Sequence, residues 1–239
     1  MTSTSSTATA STATTSASTT SASTTSTPAE NSSAEKPSAE KPSVQKPSAE
    51  NPSVLRLAVI IGSNREGRFG PVIAAWLLDR IRERADLMAE IVDVADAQLP
   101  TTFARPPQAG PHEVARTLEA ADAFVVLTPE YNHSFPAALK NLIDWHYTEW
   151  RAKPVAFVSY GGVSGGLRAT EHLRQVFAEL HATTIRDTVS FHNAGASFDD
   201  EGRHREPAGV NAAAKVMLDQ LVWWGEALRE ARAARPYAG

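Results

Sequence analysis

The chain has 239 residues, is 42% hydrophobic and 21% charged, contains no cysteine, and carries a net charge of −4. Lack of cysteine excludes disulfide scaffolds, thiolate metal sites, iron–sulfur ligation and a cysteine nucleophile, and agrees with a cytoplasmic setting. With 23 basic against 27 acidic residues there is no excess to neutralise a nucleic-acid backbone, and the longest apolar runs are strand-sized, too short for membrane insertion.

The averages hide an uneven distribution. The first Leu is Leu55, the first Ile is Ile60, and the first aromatic is Phe69. Residues 1–27 are Met, Ser, Thr and Ala alone until a proline arrives at Pro28. A five-residue repeat follows, Ala34-Glu35-Lys36-Pro37-Ser38, then Ala39 to Ser43, Val44 to Ser48 and Ala49 to Ser53. Such a stretch buries too little apolar surface to offset the entropy of ordering its backbone. Residues 1–53 are therefore expected to be a disordered tail without a secretory signal, its proline repeat an extended spacer. Residues 54–239 should form one domain. Removing the tail's three lysines and four glutamates leaves that domain at −3.

From Val54 onward, short apolar runs alternate with helical patterns. Leu55 to Ile61 reads as a first strand, and Pro71 to Arg84 as an amphipathic helix with apolar residues three and four apart. Glu90 to Val94 is a second strand and His112 to Ala121 a second helix. Ala123 to Thr128 and Ala137 to Tyr147 make the third pair, Pro154 to Ser159 and Leu167 to Leu180 the fourth. Thr184 to Phe191 is a fifth strand, and Val210 to Arg235 a closing helix. Strands apolar on both faces need helices on both sides. The expected architecture is α/β and flavodoxin-like: a five-stranded parallel sheet of order 2-1-3-4-5. Ligands of such sheets bind outside the carboxyl ends of the strands.

Three loops at that edge carry unusual sequence. The first, Gly62-Ser63-Asn64-Arg65-Glu66-Gly67-Arg68-Phe69-Gly70-Pro71, combines turn glycines, short polar donors, two arginines and a helix start. Helix N-termini and arginine forks suit phosphate. Neither a Walker sequence nor Gly-x-Gly-x-x-Gly is present, so a single phosphate monoester is the better guest. The second, Thr128 to Pro136, offers Ser134 as a helix cap, and Tyr131, Asn132 and His133 for a flat heteroaromatic ring. Lys140 and Asp144 are spaced to pair on the helix surface. The third, Ser159-Tyr160-Gly161-Gly162-Val163-Ser164-Gly165-Gly166, has glycines that allow main chain to approach a ligand. The seven histidines have no metal-ligand spacing, so no metal is expected.

Taken together, these residues resemble the NADPH-dependent FMN reductase family. The resemblance rests on Gly62-Ser63-x-Arg65, on Pro129-Glu130-Tyr131-Asn132-x-Ser134-x-Pro136 with Leu139-Lys140-Asn141 and Asp144-Trp145, and on Ser159-x-Gly161-Gly162-x-x-Gly165-Gly166. It implies an FMN cofactor with its phosphate on Ser63, Arg65 and Arg68, near Phe69 and Gly70. It also implies a ring against Pro129, Glu130, Tyr131, Asn132 and Ser134 on one side and Ser159, Tyr160, Gly161 and Gly162 on the other. Hydride from NAD(P)H would pass through that flavin to a small-molecule acceptor such as free flavin, a quinone, an azo compound or a metal oxyanion. No catalytic side chain is assigned. Main-chain N–H groups of the Gly161 loop are expected at the carbonyl edge of the ring.

Two other readings differ in class: a flavodoxin-type electron carrier that ignores nicotinamide, and a flavin-free interaction protein with a tethering arm. The first is disfavoured by so mild a negative charge. Trp223-Trp224 and the group Trp145, His146, Tyr147 and Trp150 exceed what one sheet needs, so a homodimer or homotetramer is expected.

Overall fold

The computed structural model describes residues 54–102 and 112–238; the tail expected over residues 1–53 lies outside them. Chain order is β1 (Leu55–Ile61), α1 (Gly70–Arg82), β2 (Leu87–Asp93), α2 (His112–Ala120), β3 (Ala123–Pro129) and α3 (Ala137–Trp145). A 3-10 turn at Thr148–Trp150 leads to β4 (Pro154–Tyr160), α4 (Leu167–Glu179), β5 (Thr183–Phe191), α5 (Ala194–Ser197) and α6 (Pro207–Ala234). The strands form one sheet of order β2-β1-β3-β4-β5, and every pairing is parallel. This is the flavodoxin-like order expected.

Alternation along the strands divides the interior into two cores. Leu57, Val59 and Ile61 of β1 join Ile73 and Leu77 of α1 and Met217 and Leu221 of α6 on one face. Ala58 and Ile60 face the other way, with Leu118 of α2, Leu142 of α3 and Phe177 of α4. Strands β3 and β4 are buried along their whole length, as parallel strands covered on both sides must be. At roughly 25 cal/mol per Å², burying each large apolar side chain contributes about 2 kcal/mol before entropy is subtracted.

Several boundaries differ from the sequence expectation, each for a physical reason. Strand β2 begins at Leu87 rather than Glu90, because Leu87 pairs with Leu55 at the sheet edge. Partial exposure at that edge blurs its apolar signal. Helix α6 starts at Pro207, whose ring suits a first helical turn. Helix α3 stops at Trp145, and the following turn inserts Trp150 into the core, 4.7 Å from Phe124 and 5.4 Å from Phe177 between ring centres. Trp150 is thus interior and offers nothing to an assembly surface. Lys140 and Asp144 do pair, at 2.6 Å.

Candidate flavin site

The three loops meet at the carboxyl rim of the sheet, held together by Tyr160. This last residue of β4 is buried, and its hydroxyl lies 3.1 Å from Ser63 Oγ of the first loop. Its carbonyl accepts the Glu130 amide of the second loop at 3.2 Å. Burial pushes the phenol up to about 12, despite the Ser63 hydrogen bond and Arg68, so it stays protonated at any ordinary pH. Gly70 is required here, since a Cβ would sit 2.7 Å from Ile61, 3.1 Å from the Tyr160 hydroxyl and 3.2 Å from Ser63 Oγ.

In the first loop the two arginines have different surroundings. Arg65 is exposed, and its guanidinium lies 5.5 Å from the centre of the Tyr131 ring, so the first and second loops touch at the rim. Such a cation–π contact is worth about 0.5–1 kcal/mol, and among the described residues the N–H fork has no hydrogen-bond partner. Arg68 forms a two-pronged ion pair with Asp93 at the end of β2, at 2.5 and 2.6 Å, and donates to the Ser63 carbonyl at 2.6 Å. Its side chain is 18% exposed. The phosphate role the sequence gives Arg68 therefore competes with a job in the loop's own framework. Among the described residues, the amides of Ser63, Asn64, Arg65, Glu66 and Gly67 donate to nothing. Phe69, also expected at the cofactor, packs edge-on to Phe198 at 5.4 Å and near Tyr160 at 6.4 Å.

The second loop is a two-residue reversal. Tyr131 and Ser134 exchange both main-chain hydrogen bonds, at 2.8 and 3.1 Å. Asn132 and His133 between them have φ of 50° and 69°. Positive φ at both central positions defines the type I′ sense of turn, easy for Asn and mildly strained for His. Neither central amide has a partner among the described residues. Ser134 does not cap α3; Pro136 occupies the N-cap, and the Ser134 hydroxyl instead sits 3.1 Å from His172 Nδ1 on α4. A serine two residues ahead of the cap lies too early to reach the first helical amides. Pro129 is buried at the end of β3, in register with Tyr160. The Glu130 carboxylate bonds Arg168 at 2.5 Å and the Arg168 amide at 3.2 Å. Burial would raise the carboxyl, but Arg168 and Ser164 outweigh it and hold it below the usual range.

In the third loop the glycines divide by task. The Gly161 amide is committed to the Phe191 carbonyl at 3.1 Å, as though the sheet ran one residue further. The donors expected of this loop are therefore left to the residues after Gly161. The amides of Gly162, Val163 and Ser164 remain unpartnered among the described residues, and a Cβ on Gly162 would meet nothing within 4 Å. Gly165 and Gly166 serve the turn instead, with φ of 60° and 85°. A Cβ on Gly166 would lie 2.7 Å from Ser159 Cβ. Ser159, expected at the ligand, is 1% exposed and donates to the Gly165 carbonyl at 2.8 Å, as does Ser190.

The arrangement fits a mononucleotide. Among the described residues, one rim offers an unpaired arginine fork with a run of free amides, and, across Tyr131, two further sets of free amides beside an open glycine. The sequence profile of NADPH-dependent FMN reductases matches residues 55–196. The chain belongs to the NADPH-dependent FMN reductase family. Relatives in that family include an NAD(P)H-dependent FMN reductase of Schizosaccharomyces pombe, 35% identical over 122 residues. That match covers 46% of this chain and 60% of the relative. An NAD(P)H-dependent FMN reductase of Saccharomyces cerevisiae is 32% identical over 150 residues, or 55% of this chain and 78% of the relative. Among solved structures, a flavoenzyme NAD(P)H:(acceptor) oxidoreductase from Paracoccus denitrificans superposes with a TM-score of 0.58 at 24% identity, covering 72% of this chain and 98% of that one. That likeness carries the fold. Among the described residues, no helix is long and apolar enough to cross a membrane.

Asp93, Arg168 and Ser190 escaped the sequence reading because each acts through a partner distant in sequence. Only Asp93, an acid at the carboxyl end of a strand, had a position that could have drawn notice.

Proposed function

We propose that this chain is an FMN-dependent NAD(P)H oxidoreductase that reduces a small-molecule acceptor: free flavin, a quinone, an azo compound or a metal oxyanion. Family membership supports the cofactor and the donor. The single observation that carries the site is the joining of three loops at one rim, with Arg65 over Tyr131 and unpaired amides on both sides of that contact.

When bound, FMN supplies the two-electron chemistry, taking hydride from NAD(P)H and delivering it to the acceptor. The protein's part is to bind, orient and polarise. Arg65 and the amides from Ser63 to Gly67 take the phosphate, with charge-assisted hydrogen bonds of about 1.5–3 kcal/mol each. Tyr131 and Asn132 would border a bound ring, and the unpartnered amides of Gly162, Val163 and Ser164 would be the donors available to the negative charge that a flavin gathers on reduction. Tyr160 holds the floor as a neutral phenol, while Arg68, Glu130 and Ser159 keep the loops in place. No side chain need act as acid or base at the reacting atoms.

A homodimer or homotetramer and a cytoplasmic setting, where NAD(P)H is supplied, complete the proposal. An open groove of about 480 Å³ beside Ser134, lined by Phe135, His172, Val176 and Leu180, is where a second copy could wall the site; a monomeric mass in light scattering would refute that assembly. The decisive experiment loads purified protein with FMN and follows nicotinamide absorbance with each acceptor class. Oxidation that requires both flavin and acceptor is expected. Flavin uptake without reduction by NAD(P)H would turn the assignment to an electron carrier, and no uptake would end both.

A further inference from the structure

Helix α6 presents an outward stripe with an unusual composition for a solvent face. Trp223 is 63% exposed and Val216, seven residues earlier on the same side, is 54% exposed. Trp223 packs edge-on against Trp224, ring centres 5.0 Å apart, which fixes the indole rather than letting it fold away. Two carboxylates follow along the stripe, Glu226 and Glu230, both exposed and without an ion-pair partner among the described residues. An indole held by its neighbour and followed by free carboxylates suits a segment that presents compact apolar rings next to single cationic side chains.

The chain enters the fold against this same helix. Arg229 donates to the carbonyl of Val54 at 3.2 Å, and Leu55 packs so closely that a Cβ on Gly225 would lie 2.8 Å from its side chain. Immediately upstream stand Ala39-Glu40-Lys41-Pro42-Ser43, Val44-Gln45-Lys46-Pro47-Ser48 and Ala49-Glu50-Asn51-Pro52-Ser53. Two of the three prolines follow a lysine. Trp223 is six residues from Arg229, about 9 Å along the helix axis. Pro47 is seven residues upstream of Val54, about 22 Å at polyproline spacing, so the repeat reaches the indole with length to spare. Proline rings stack on Trp faces with little conformational entropy left to lose. The segment is neutral overall, Lys41 and Lys46 being balanced by Glu40 and Glu50, and it is these two lysines, each directly before a proline, that complement Glu226 and Glu230 in sign.

We propose that the proline repeat of residues 39–53 docks along the Trp223 stripe of α6, with proline rings on the indole and lysines toward Glu226 and Glu230. The tail is then a strap on the back of α6, separate from the flavin site.

The test uses the full-length chain and a full-length variant carrying Pro42→Ala, Pro47→Ala and Pro52→Ala. The indole N–H resonance of Trp223 is identified by its loss in Trp223→Phe, and its relaxation by a soluble gadolinium chelate is compared between the two chains. In the native chain that relaxation is expected to be about half of the variant's or less, and 0.5 M salt should bring the two closer. Equal relaxation in both chains overturns the proposal. So does protection that persists in the variant and fades on dilution together with a halved mass in light scattering, which would make a second copy the occupant.

Discussion

The two arginines of the first loop are adjacent in purpose by sequence but separate in structure, and that separation is measurable. Arg68 and Asp93 form a two-pronged pair whose side chains are only 18% and 12% exposed, and Arg68 also holds the Ser63 carbonyl. Breaking a fully buried pair by removing one partner costs about 3–5 kcal/mol, and a surface pair costs at most about 1. Partial exposure puts Arg68→Ala near 2 kcal/mol. For a domain of this size each kcal/mol moves Tm by about 2–4 °C, so a fall of about 4–8 °C is expected. Asp93→Ala should give a similar fall, and the double variant little more than either alone, because the two side chains act as one unit. The assay is thermal unfolding of the four chains without flavin, followed by FMN titration of each. An Arg68→Ala chain with unchanged Tm but no FMN uptake would falsify the framework role and return Arg68 to the phosphate.

Three further outcomes follow from the same geometry. Arg65→Ala, which loses only an exposed cation–π contact, should leave Tm within about 2 °C while raising the Kd for FMN about 10–100-fold, equivalent to 1.5–3 kcal/mol; a stability loss with unchanged affinity would contradict this. Gly166→Ala forces a Cβ against Ser159 at φ of 85° and should destabilise the fold by about 2 kcal/mol or more, whereas Gly162→Ala should unfold at the native temperature and bind FMN less well; urea titration and flavin fluorescence separate the two. Lys153 donates to the carbonyls of Leu118 and Glu119 at the end of α2, and burial lowers its pKa from 10.5 to about 8. The folded chain then binds fewer protons than the unfolded one between pH 8 and 10.5, so stability should rise with pH across that window, by at most about 3 kcal/mol. Lys153→Met should lack the rise in denaturant titrations from pH 7 to 10.5, and a parallel rise in both chains would refute the assignment.

The architecture was legible because it rests on local signals. Apolar runs such as Leu55 to Ile61 and Ala123 to Thr128 announce buried strands, and Pro71 sits at a helix start as its missing N–H dictates. The position of the candidate site followed from the sheet rule, since Ser63 and Tyr131 lie just beyond, and Tyr160 at, the carboxyl ends of strands that are neighbours in the sheet order. What sequence could not divide was labour among similar residues within a loop. Arg65 and Arg68 look alike until Asp93, 25 residues away in sequence, claims one of them. Gly162 and Gly166 look alike until the backbone of Tyr160 is found beneath Gly166. Ser159 looks like a ligand donor until its hydroxyl is found turned inward to the Gly165 carbonyl. Each outcome depends on a long-range contact, which composition and periodicity do not encode.

Cross-links at Tyr160, Glu130 and Arg68 have a thermodynamic corollary for cofactor capture. Because the loops are already fastened to one another and to the sheet by their own hydrogen bonds, a guest meets a mould set beforehand and little chain entropy is surrendered on capture. Cofactor exchange is then expected to proceed by simple dissociation instead of local melting.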